Sequence, residues 1–180
     1  VLQYDACIQV ANTLLKTSPN DMASFSFDGV NAGQIKFNSP YDGIGFTWRY
    51  SLDAGASKSE EFRETDIKLT DEQMATLTAN NGIQIYIQGL SESKPAYTIP
   101  LVETKLPDEL YANDLENRVI GANTRFEWRN SADQRWTSYA KASPNNTGDK
   151  TLEVRVAGTG NHLPSESKAF QFTADNQPKD

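Results

Sequence analysis

The sequence predicts an all-β fold made of two tandem β-sandwich modules. Three observations carry that prediction. Apolar and polar residues alternate with period two in many short runs. Gly, Pro, Asn or Asp bounds almost every run, which suits strands joined by tight turns. A tryptophan-centred phrase also occurs twice.

The runs can be taken in order. Residues 6–15, Ala-Cys-Ile-Gln-Val-Ala-Asn-Thr-Leu-Leu, fit either one amphipathic helix or a first strand, and we read them as a strand ending a linker over residues 1–22. Phe25 and Phe27 alternate with Ser26 before the turn Asp28-Gly29, and Ile35 and Phe37 alternate with Gln34 and Lys36 before Asn38-Ser39-Pro40. Phe46, Trp48 and Tyr50 share one face of the next run, and Ile83, Ile85 and Ile87 share one face of another, followed by Tyr97 and Ile99. One helical insertion is predicted near residues 70–78. Thr70 followed by Gln73 makes a capping-box pattern, and Asp71 and Glu72 sit where the helix dipole favours negative charge. The second half repeats the strand reading through Val119-Ile120, Phe126 to Trp136, Leu152 to Val156 and Ala169 to Thr173.

Self-similarity sharpens this into duplication. Phe46-Thr47-Trp48-Arg49-Tyr50-Ser51 is echoed eighty positions later by Phe126-Glu127-Trp128-Arg129-Asn130-Ser131, and Asp53 and Asp133 follow at the same distance. When Gly89 is laid on Gly158, Ile85 meets Val154 and Ile87 meets Val156, so the phase of alternation is kept. A polar turn with one proline (Pro95 or Pro164) and a closing aromatic strand come next in each copy. The helical insertion belongs to the first copy alone. The modules are placed at residues 1–103 and 104–180, joined by the Gly-free connector Leu101-Val102-Glu103-Thr104-Lys105-Leu106-Pro107.

Composition limits function. Seventeen Lys and Arg against 24 Asp and Glu leave a net charge of −7, which disfavours nucleic-acid backbones and anionic membrane surfaces. No apolar run is long enough to span a bilayer, so membrane insertion is not expected. The single cysteine, Cys7, rules out an intrachain disulfide and reads as a buried thiol. No targeting segment is visible, and a chain that opens on Val1 is expected to be a piece of a longer protein.

Catalysis is not expected. The sequence holds no HExxH, GxSxG, phosphate loop or CxxC. The one histidine, His162, reads as an exposed turn residue, and the acidic pairs Glu60-Glu61 and Asp71-Glu72 read as solvated charge. Two binding chemistries stay open. Calcium suits oxygen-rich groups, and Asn113, Asp114 and Glu116 could hold such a cation at the joint between modules. Sugars stack on aromatic rings. Trp48 and Trp128 occupy matching strand positions and are expected to be the core tryptophans of the two modules. Trp136 follows the turn Asp133-Gln134-Arg135, so Trp136 and Tyr139 are the candidate surface-binding aromatics.

The order Leu110-Tyr111-Ala112-Asn113-Asp114-Leu115-Glu116-Asn117-Arg118-Val119-Ile120-Gly121, Phe126-Glu127-Trp128, Val154-Arg155-Val156-Ala157 and Leu163-Pro164-Ser165 resembles the tandem immunoglobulin-like repeats of large secreted and wall-attached bacterial proteins, especially of Gram-positive species. The resemblance covers most of residues 108–175 and, more loosely, 23–101, where the helical insertion departs from it. It implies an extracellular or cell-surface, non-catalytic pair of immunoglobulin-like β-sandwiches without a cofactor. Such a pair spaces or presents other domains of the same polypeptide, or mediates adhesion. The alternative is a module that binds host, mucin or cell-wall glycans beside a secreted hydrolase or metallopeptidase.

Overall fold

Among the described residues, twelve short strands form several small antiparallel sheets, accompanied by two α-helices. The computed structural model describes residues 2–16, 22–130 and 134–174. Ser131 and Asp133, part of the repeated phrase, lie outside the described residues. The chain divides into two units: Val1–Glu103 with Thr159–Leu163, and Thr104–Gly158 with Pro164–Asp180.

The first unit opens with a helix, α1 (Leu2–Lys16), which corrects the expected strand. The 3.6-residue period prevails because it buries Ala6, Cys7 and Val10 together and packs Leu14 on the core, whereas a strand would have buried Ile8, which is 43% exposed. Asp5 in the first turn and Lys16 in the last complement the helix dipole. Two three-stranded sheets share one core with α1. One joins β1 (Ala23–Phe25), β2 (Gln34–Phe37) and β4 (Asp66–Lys68) in that order. The other joins β3 (Trp48–Ser51), β5 (Ile83–Ile87) and β6 (Tyr97–Ile99). Their inward side chains meet edge to face, with the rings of Phe37 and Trp48 4.8 Å apart. The predicted insertion is the short helix α2 (Asp71–Ala75). Its capping box is present: Gln73 N–H donates to the Thr70 hydroxyl at 3.1 Å, and Thr70 N–H to the Gln73 side chain at 2.9 Å.

Thr159–Leu163 groups with the first unit although the sequence reading placed it in the second. Backbone bonding explains this. Val102 N–H donates to the Asn161 carbonyl at 3.0 Å, Leu163 N–H donates to the Val102 carbonyl at 2.8 Å, and Leu163 is buried in that core.

The second unit has a four-stranded sheet in the order β10 (Thr137–Ser138), β9 (Phe126–Arg129), β11 (Lys150–Val156), β12 (Lys168–Phe172). A hairpin of β7 (Tyr111–Asn113) and β8 (Arg118–Ile120) accompanies it. Leu110, Val119, Phe126, Leu152, Val154, Phe170 and Phe172 form its core.

The pairing order of tryptophan strand, central aliphatic strand and closing aromatic strand occurs in both units, as β3-β5-β6 and as β9-β11-β12. Trp48 pairs with Ile87 and Trp128 with Val154; Ile85 pairs with Tyr97 and Leu152 with Phe170. Ile87 therefore corresponds to Val154, two residues before the Val156 that matching Gly89 to Gly158 selects. A slip of two keeps every side chain on its face, so alternation alone could not detect it.

Candidate functional site

Strand parity on β9 and β11 builds the most distinctive surface of the second unit. Phe126, Leu152 and Val154 turn inward, which turns Glu127, Arg129, Glu153 and Arg155 outward. Antiparallel register places Glu127 directly opposite Arg155 and Arg129 opposite Glu153. Both cross-strand pairs close at 2.6 Å, and all four side chains are 17–25% exposed. Burial pulls the Arg155 guanidinium below its ordinary pKa, with Glu127 opposing that pull. The Trp136 ring lies over both arginines, its centroid 4.4 Å from the Arg129 guanidinium carbon and 4.1 Å from that of Arg155. One aromatic plate thus covers a neutral ladder of two cations and two carboxylates.

Tyr139 does not join that plate. β10 pairs Thr137 with Trp128 and Ser138 with Glu127, and Tyr139 N–H donates to the Phe126 carbonyl at 3.0 Å. By the same parity Tyr139 faces inward and packs on the core. Its hydroxyl is buried without a hydrogen-bond partner among the described residues, and burial pushes its pKa up to about 12. The two candidate surface-binding aromatics therefore lie on opposite faces of the sheet.

The two other tryptophans differ in depth. Trp48 is 1% exposed, and its indole N–H donates to the Glu64 carbonyl at 2.8 Å. Trp128 faces inward but is only half-buried, with its N–H donating to the Ala142 carbonyl at 2.9 Å. The expectation of a central core tryptophan therefore describes Trp48, while Trp128 sits at the margin of a smaller core.

The side chains of Asn113, Asp114 and Glu116, the candidate cation ligands, each take a protein partner. The Asn113 side-chain oxygen accepts from Glu116 N–H at 3.0 Å, the Asp114 carboxylate accepts from Thr173 N–H at 2.9 Å and from its hydroxyl, and Glu116 pairs with Arg118. These contacts tie the β7–β8 turn together. Among the described residues no group of three or more His, Cys, Asp or Glu could hold a metal. His162 is exposed in its turn, and the Cys7 thiol is buried, with its pKa raised by that burial.

The first unit carries a groove of about 240 Å³ on the outer face of β3 and β5. Sequence reasoning passed over it because its residues come from separate segments. Arg49 and Glu61 pair across it at 3.0 Å. Lys58 lies 4.3 Å from the Tyr86 ring centroid and donates to the Glu92 carbonyl at 2.6 Å. Its cations are thus held by neighbours rather than aimed at one point. No helix among the described residues is long and apolar enough to cross a membrane. The chain matches no protein-family model, no curated protein and no solved structure.

Proposed function

We propose that the chain is a pair of immunoglobulin-like β modules, duplicated from one unit, that spaces or presents other domains of a larger bacterial surface or secreted protein without catalysing a reaction. The observation that carries this reading is the recurrence of one three-strand pattern, with one register, in both units. In each copy the tryptophan of the repeated phrase turns toward its own core, fully buried in the first and half-buried in the second, which supports a packing role. Residues that would be conspicuous in a binding protein are thereby spent on packing, which is what a repeated structural element requires.

One observation favours a second reading, in which the second unit binds glycans. Trp136 stands on the polar outer face of its sheet, and two guanidiniums fix its orientation. A ring held in one orientation can stack on a pyranose with little loss of side-chain freedom.

Glycan-array binding and hydrolase-substrate screening of the whole chain, alongside Trp136→Ala, separate the readings. The spacing role predicts no saturable glycan binding and no turnover. Saturable binding to one glycan class that Trp136→Ala abolishes would replace it with the second reading, and turnover would overturn both.

A further inference from the structure

α1 carries a second apolar stripe beside its buried face. Tyr4, Ile8 and Leu15 are 73%, 43% and 85% exposed, and with Ala11 they recur at intervals of four, three and four residues. At 3.6 residues per turn these four side chains fall within an arc of roughly 60°. Cys7, Val10 and Leu14, which face the core, sit one residue earlier on each turn. The stripe is therefore adjacent to the core face and not part of it. Scattered apolar residues on a surface are ordinary. Here, three of the eight large apolar residues that the described chain exposes, Tyr4, Ile8 and Leu15, lie in this one stripe, which marks a contact surface.

We propose that α1 is a self-association surface on which a second copy of the chain docks its own α1 in antiparallel orientation. The spacing four-three-four reads the same in both directions, so two antiparallel stripes match along their whole length. That match sets Tyr4 opposite Leu15 and the large Ile8 opposite the small Ala11, as interdigitating helix faces require. Asp5 and Lys16 flank the stripe on the same side. An antiparallel partner brings opposite charges to the same level, within a turn of each other, whereas a parallel partner would level Asp5 with Asp5 and Lys16 with Lys16. Antiparallel helix dipoles also attract. A shallow groove of about 530 Å³ runs along this edge between Tyr4, Ile8, Ala11 and the turn at Gly89 and Leu90, and it gives the incoming side chains further apolar wall. One helix stripe buries less than the roughly 1,200 Å² of a standard stable interface, so the dimer is concentration-dependent and not obligate.

Sedimentation velocity of the whole chain from about 1 μM to about 1 mM tests this. The weight-average mass should rise toward twice that of the monomer, and Ile8→Glu should hold it at the monomer value with helix content and melting unchanged. Should Ile8→Glu unfold, Leu15→Ala serves instead, because that side chain is 85% exposed. Orientation is read by oxidative cross-linking: Tyr4→Cys mixed with Leu15→Cys should give a linked heterodimer, and Tyr4→Cys alone should not link. A wild-type chain that stays monomeric throughout, dimers that persist in Ile8→Glu and Leu15→Ala, or Tyr4→Cys chains that link to each other would overturn the proposal.

Discussion

Trp136 and Tyr139 are three residues apart and lie on opposite faces of one sheet. Trp136 stacks on Arg129 and Arg155 outside, while the Tyr139 hydroxyl is buried inside. An odd separation across β10 reverses the face, and that alone divides a pair that looks like one aromatic rim in the sequence.

Because Trp136 covers the ladder, removing it should cost stability without unfolding the unit. Each cation–π contact contributes about 0.5–1 kcal/mol at an exposed site and more when desolvated. Trp136→Ala should therefore lose about 1–2 kcal/mol in urea denaturation. In a double-mutant cycle its effect should be non-additive with Arg155→Leu, since the two share one contact. Additive losses would mean that the ring does not stabilise the ladder.

Tyr139 should make the fold alkali-sensitive. Its phenol titrates near 10 when unfolded and at about 12 in the folded chain. The unfolded chain therefore gives up this proton first as pH rises. Stability is therefore insensitive to this group below about pH 10 and falls as pH climbs from there to about 12. Tyr139→Phe removes a buried hydroxyl that has no partner among the described residues, so it should be neutral or stabilising at neutral pH and should reduce the alkaline loss. Denaturation curves of both proteins from neutral pH to pH 12 make the comparison.

The difference in depth between the repeated tryptophans should appear as a difference in cost. Trp48→Ala empties a fully buried site and strands the Glu64 carbonyl, at about 3–5 kcal/mol. Trp128→Ala opens a half-buried margin, at about 1–2 kcal/mol. Chemical denaturation followed by circular dichroism should rank them in that order, and equal losses would contradict the structural assignment.

Gly89 sets how closely α1 can approach β5. Its φ is +89°, and an added Cβ would stand 2.5 Å from the Cys7 sulfur. Gly89→Ala should push α1 away and cost about 1–3 kcal/mol. The direct readout is the thiol. Cys7 should react slowly with a labelling reagent in the wild type and much faster in Gly89→Ala, with unchanged labelling counting against the close approach.

The strands were legible where period two met a clear turn signal, as at Gln34–Phe37, Ile83–Ile87 and Lys168–Phe172. The three-residue β4 and the two-residue β10 were missed because runs that short carry almost no period. α1 is ambiguous in the sequence because Ala6, Ile8 and Val10 satisfy period two while Ala6, Val10 and Leu14 satisfy the helical period, and the packing of Cys7 and Val10 decides between them. The ladder left a sequence trace in Glu127-x-Arg129 and Glu153-x-Arg155. Two such segments paired antiparallel must set each glutamate opposite an arginine, but only the register shows that these two pair. The oxygen-rich run Asn113 to Glu116 suggested a cation because composition does not reveal that its acceptors are engaged by Thr173, Arg118 and the turn itself.

The central claim, that the two units form a structural spacer, is tested most directly by placing the chain between a cell-surface anchor and a reporter domain. Capture of a large probe by the reporter is then compared with that of the same reporter fused straight to the anchor. The account predicts greater capture with the chain present, equally in wild type and Trp136→Ala, because nothing in the effect depends on a ligand. Capture no better than direct fusion, or a gain that disappears with Trp136→Ala, would contradict it.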